Sequence, residues 1–171
     1  MTSLRDDRAS VAPNPGDDDL THLSARRPTS TSVDRLAWAV GAARLWLGTE
    51  IGAGPGGTHR YQADMRLRVS DRPSIVTFRK AAYIEIGPIL PVPGGWEARI
   101  AWRASSLAPL FPVFAGTLVA RAGELSVSGW YAPPGGSIGR AADWALLHVA
   151  ATRTGAWLLS ELDAAARKSL D

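Results

Sequence analysis

Residues 60–69 read RYQADMRLRV, with Tyr61, Ala63, Met65, Leu67 and Val69 alternating against Arg60, Gln62, Asp64, Arg66 and Arg68. A period of two, apolar then polar, is the pattern of a β-strand with one face covered and the other in water. The pattern returns downstream. After a turn at Asp71-Arg72-Pro73, residues 75–86 place Val76, Phe78, Ala82, Ile84 and Ile86 on one face, with Lys80 interrupting. Residues 87–95, with Pro88, Pro91 and Pro93, read as a loop. Residues 96–104 then set Trp96, Ala98, Ile100, Trp102 and Ala104 against Glu97, Arg99, Ala101 and Arg103. Two more strands, 112–121 and 124–131, flank a tight turn at Ala122-Gly123. A meander of half-apolar strands requires a cover for its apolar face.

The C-terminal segment is long enough to supply it. Pro133-Pro134-Gly135-Gly136 ends the strand pattern, Ser137 stands where an N-cap would, and nothing strongly breaks a helix from Ile138 to about Lys168. Ala142, Ala145, Val149, Thr152, Ala156 and Leu159 recur in steps of three and four, and Leu146, Trp157, Leu158 and Leu162 widen the stripe. Gly155 merely weakens the pattern. Some 30 residues at the helical rise make a rod of roughly 45 Å. On the N-terminal side, residues 20–27 read as a short strand ended by Pro28. Thr29, Ser30, Thr31 and Ser32 offer N-cap hydroxyls. From Val33 to Leu47, apolar residues at Val33, Leu36, Ala37, Val40, Ala43 and Leu47 give an amphipathic helix, or two short ones parted at Gly41. The glycine-rich run from Gly52 to Gly57 has a helix before it and a strand after it, the reverse of a phosphate-cradling turn, and reads as a plain loop. The class is α+β, with six strands counted and helices gathered on the apolar face.

Composition narrows the function. At 171 residues the chain is about one domain's worth, with 46% hydrophobic and 20% charged residues. The absence of cysteine excludes disulfides, thiolate metal sites and a cysteine nucleophile. Three histidines, His22, His59 and His148, leave little material for a transition-metal site, and no cofactor is expected. Residues 1–19 carry five acids and two bases and read as a disordered acidic leader, so the domain spans 20–171. Of the 19 basic residues all but Lys80 and Lys168 are arginine, a bias of the kind a GC-rich genome produces. A net charge of +3 permits an acidic partner without requiring one. No run approaches the roughly 18 apolar residues of a membrane span, and no apolar signal segment opens the chain. A cytoplasmic location without membrane insertion is expected.

Three stretches carry a resemblance. They are RRPTSTSVDRLAWAV (26–40), WEARIAWRASSLAPLFPVFAGTLVA (96–120) and LSVSGWYAPPGGSIGRAADWALLHVAATRTGAWLLSELDAAAR (125–167). In this order they resemble the START-like, or SRPBCC (polyketide cyclase/dehydrase-type), helix-grip superfamily, over about residues 20–168. The resemblance implies a curved antiparallel sheet of six to seven strands gripping the C-terminal helix, with short helices after the first strand. It also implies a mostly apolar cavity between sheet and helix. Alternation points Tyr61, Met65, Phe78, Trp96, Trp102 and Tyr131 into such a cavity, and the small residues Ala142, Ala145, Val149 and Thr152 would face them from the helix.

The function expected is binding of a hydrophobic small molecule, lipid-like or polyketide-like, with no catalysis of its own. One alternative is a cyclase or dehydratase using His148, Tyr61, Tyr83 or Tyr131 to move protons. Another is a scaffold whose outward arginines, Arg60, Arg66, Arg68, Arg79, Arg99 and Arg103, hold an acidic partner. Asp64, Glu85 and Glu97 interrupt that stripe as cross-strand charge partners, so nucleic acid is not expected.

Overall fold

A computed structural model describes residues 20–68, 77–104, 113–132 and 142–168. The chain runs through strand β1 (Thr21–Pro28), helix α1 (Val33–Gly41), a 3₁₀ turn (Ala43–Leu45) and strand β2 (Thr49–Ala53). Strands β3 (His59–Arg68), β4 (Thr77–Ile86), β5 (Leu90–Val92), β6 (Gly95–Ala104), β7 (Val113–Arg121) and β8 (Glu124–Ala132) follow, and helix α2 (Ala142–Lys168) closes the order. All eight strands form one antiparallel sheet in the order β1-β8-β7-β6-β4-β3-β2, with β5 paired to β6. This is the expected α+β arrangement: a curved sheet, a short helix after the first strand and a long C-terminal helix. Among the described residues, no helix is long and apolar enough to cross a membrane.

Eight strands replace the six counted from sequence. Strand β5 lies in the 87–95 stretch read as a loop, and β2 begins where no element was read and runs into the glycine-rich loop at Gly52. Strand β2 is an edge strand with every residue exposed and a register shift between Glu50 and Gly52, so it has no buried face to impose alternation. Strand β5 has three residues with Pro91 in the middle, too short to show a period. The expected break at Gly41 is present, since α1 ends there and the chain tightens into the 3₁₀ turn.

Strands β1 and β2 are opposite edges of the sheet, so residues 29–48 between them must cross its width. That crossing places α1 and the 3₁₀ turn against the apolar face, where Leu36, Ala39, Val40, Ala43 and Leu47 are buried. Trp96 on β6 fastens the crossing by donating its indole N–H to the Val33 carbonyl at 3.0 Å. Gly155 has a positive role in α2. A Cβ there would stand 3.3 Å from Ala25 Cβ and from Val127 Cγ1, so its absence lets the helix sit close on β1 and β8.

A buried carboxylate ties α2 to the sheet edge. Asp163 is 1% exposed. Its Oδ1 accepts from the hydroxyls of Thr29 at 2.6 Å and Thr31 at 2.9 Å. Its Oδ2 accepts from Arg27 Nε at 3.1 Å and Arg167 at 2.7 Å. Two hydroxyls expected to cap α1 are therefore spent on α2 instead, and Ser32 at the α1 N-cap position makes no side-chain capping bond. Burial pushes the Asp163 carboxyl upward, but the Thr29, Thr31 and Arg27 hydrogen bonds and the Arg167 charge outweigh it and hold it below its ordinary value.

A carboxyl depressed by folding stabilises the fold fully above its ordinary pKa, and that contribution is lost as pH falls through the folded value. Asp163→Ala is expected to lower unfolding stability by about 3 kcal/mol in urea titrations, because it strands buried donors. Asp163→Asn is expected to flatten the loss of stability seen as pH falls below 3.8, the ordinary carboxyl value, relative to the unaltered chain. An unchanged urea midpoint in Asp163→Ala would remove the network from the account of the fold.

Candidate ligand cleft

The strand register sorts the residues expected inside. Tyr61, Ile84, Trp102, Phe114 and Tyr131 stand opposite one another, strand by strand, in a single row across the apolar face. All five are buried. Trp102 stacks on Phe114 with ring centroids 3.8 Å apart and planes 14° from parallel. Gly116 and Gly129 face each other in the neighbouring row, and a Cβ on either would come within 2.8 Å of Phe114 Cζ. The glycines thus give the Phe114 ring a flat floor. Burial raises the Tyr131 phenol, and a hydrogen bond with Thr21 opposes that shift. The Trp102 indole N–H is buried and has no hydrogen-bond partner among the described residues.

The other expected residues that are described lie outside this row. Trp96 is buried at the far end of β6, where it serves the fold. On α2, Thr152 is partly buried, whereas Val149, expected to face the sheet, is 41% exposed. The side chains of Met65, Phe78, Ala142, Ala145 and His148 lie outside the described residues. On the opposite face, Glu85 is buried and paired across the strands with Arg60, and Arg103 lies over the Tyr83 ring at 5.5 Å. Arg99 is exposed, and the side chains of Arg66, Arg68 and Arg79 lie outside the described residues.

At the β2–β3 side of the apolar face, the crossing segment leaves a cleft of about 780 Å³. Its sheet side is formed by His59, Tyr61 and Ile86, its roof by Trp38, Val40, Gly41 and Ala42, and Pro88 and Ile89 complete its apolar lining. Three charged or titratable side chains, Arg44, Glu50 and His59, join Tyr61 in it. His59 Nδ1 lies 2.6 Å from Glu50 Oε1, with the two side chains 55% and 39% exposed. His59 and Tyr61 share a strand face, two residues apart, and Glu50 stands opposite Tyr61 on β2. Burial is the main cause that raises the Tyr61 phenol; the Glu50 charge adds to it and the Arg44 charge opposes it.

Tyr61 belongs both to the aromatic row and to this cleft. Sequence reading missed the rest of the polar set. Glu50 sits on the unrecognised strand β2, and Arg44 on a 3₁₀ turn read as helix. His59 opens β3 immediately after the glycine-rich turn. The one available signal was the parity of His59 with Tyr61, which puts both on the apolar face.

No protein-family model and no curated protein matches the chain. Among solved structures, the crystal structure of TTHA0849 from Thermus thermophilus aligns with 88% of this chain and 100% of its own at 13% identity, with a TM-score of 0.47. A likeness of that degree carries no argument about function.

The Tyr61 environment gives a signed expectation. In alkaline titration by tyrosinate absorbance, with Tyr83 and Tyr131 each changed to Phe, the remaining phenol is expected to ionise above 10.0, the ordinary tyrosine value. Glu50→Gln should lower its midpoint by removing a repelling charge, and Arg44→Gln should raise it. Shifts of the opposite sign would mean that neither charge acts on the phenol.

Proposed function

We propose that the protein binds a small molecule with an apolar body and an oxygen-bearing end in the cleft between α1 and the β2–β3 side of the sheet. The observation that carries this reading is the composition of the cleft. Its volume of about 780 Å³ falls in the range of small-molecule sites. Trp38, Val40, Ile86 and Ile89 supply apolar wall, while Tyr61, Arg44 and the Glu50–His59 pair gather the polar groups. Tyr61 retains its proton and offers an O–H to a ligand oxygen, and Arg44 offers guanidinium donors. The helix-grip resemblance supports the same class of function, a ligand held against the inner face of the sheet, although analogy of fold alone does not carry function. Here the roof is α1 and the 3₁₀ turn, and the ligand meets the sheet at Tyr61 and Ile86.

Gly41 offers a clean test. It lines the cleft, its backbone is helical, and a Cβ built on it meets nothing within 4 Å. Gly41→Phe therefore fills the cleft from its roof without backbone strain and is expected to change stability by less than about 1 kcal/mol. Native mass spectrometry of the gently purified chain should show a small-molecule adduct that an organic extract recovers and that Gly41→Phe lacks. An adduct retained in full by Gly41→Phe would move the ligand out of this cleft.

A further inference from the structure

We propose that the cleft hydrolyses carboxylic esters of the apolar molecules it binds, with His59 as general base. The inference rests on the binding reading above and adds an activity to it. The Nδ1–H of a neutral His59 is donated to Glu50 at 2.6 Å, which fixes the tautomer and leaves Nε2 as the proton acceptor. Both side chains are well exposed to solvent, so water reaches the pair. No serine, threonine or cysteine lines the cleft among the described residues, so the attacking group is water itself and not a side chain.

The opposite requirement of acyl transfer, donors for the developing oxyanion, is met by Tyr61 and Arg44. His59 and Tyr61 alternate on one strand face, which separates their Cα atoms by about 7 Å, room for an ester carbonyl between them. Tyr61 keeps its proton and donates it as a hydrogen bond, and Arg44, whose charge acts on the same phenol, adds positive charge. In the reaction, a water oxygen bonds to the ester carbon as one of its protons passes to His59 Nε2. The tetrahedral oxyanion collapses, the carbon–alkoxy bond breaks, and the leaving oxygen takes the proton back from the imidazolium. The products are one carboxylic acid and one alcohol, and no oxidant, reductant or second substrate is needed. Glu50 acts through His59 and is a positioning residue.

The test uses the full chain with p-nitrophenyl hexanoate and phenyl hexanoate, and with N-phenylhexanamide as a ligand that resists cleavage, its binding read by tryptophan fluorescence. Saturable hydrolysis of both esters is expected, with kcat/KM lowered by about 100-fold or more in His59→Gln. Glu50→Gln is expected to lower kcat at unchanged KM, with part of the rate restored in Glu50→Asp. His22→Gln, altered on the opposite sheet face, is expected to match the unaltered chain and so exclude general surface imidazole chemistry. Hydrolysis by His59→Gln as fast as by the unaltered chain overturns the proposal. So does binding of N-phenylhexanamide with no saturable ester cleavage, which leaves the binding reading standing. Failure to bind the amide together with failure to cleave either ester removes both.

Discussion

A buried carboxylate with four donors joins the N-terminal strand, the crossing segment and the C-terminal helix. Asp163 is presented by α2, Arg27 by β1, and Thr29 and Thr31 by the link into α1. Burying a charge costs several kcal/mol unless it is hydrogen-bonded on all sides, so the donors and the carboxylate are each stable only in the presence of the others. That mutual dependence fixes where α2 lies along β1. It also fixes where the crossing segment starts, and hence which part of the apolar face α1 can cover. Gly155 acts on the same boundary by letting the helix close onto Ala25 and Val127.

Helix α2 packs on β1 and β8 and also reaches β3, while the end of α1 and the short 3₁₀ turn lie over the cleft beside His59 and Tyr61. A nine-residue helix followed by three tightened residues is a thin roof. It buries Leu36, Ala39 and Val40 but leaves Trp38 51% and Leu45 69% exposed. The cleft is the space that this thin roof does not fill. Glu50 and His59 come from the sheet edge, where β2 and β3 have solvent within reach, and Arg44 from the 3₁₀ turn, while the row from Ile84 to Tyr131 continues inward as packed core. Tyr61 joins the two regions, buried in the row yet within reach of the Glu50 and Arg44 charges, as suits an amphipathic side chain at a boundary.

The sheet was legible because burial of one face imposes a period of two, visible at residues 60–69 and 96–104 without any knowledge of partners. The C-terminal helix and the break at Gly41 were legible for the same kind of reason, a local period and a local breaker. Strands β2 and β5 were not. An exposed edge strand and a three-residue pairing have no buried face, and their formation depends on β3 and β6 being there to pair with. The Asp163 network was invisible because its partners lie more than 130 residues away in the chain, except for Arg167. Of the expected pocket residues, Tyr61 reaches the cleft, whereas Trp96 fastens the crossing segment to the sheet. Glu50 and His59 meet only because β2 pairs with β3, a contact set by topology and not by any motif.

The central claim is the position of the ligand, and a crystal structure of the chain carrying the molecule it retains from cells tests it most directly. The account places that molecule on Tyr61 and Ile86 beneath Trp38 and Val40, with an oxygen toward Tyr61, Arg44 or His59. A ligand found instead between α2 and the sheet, with its acceptor on the Trp102 indole N–H that has no partner among the described residues, would contradict it.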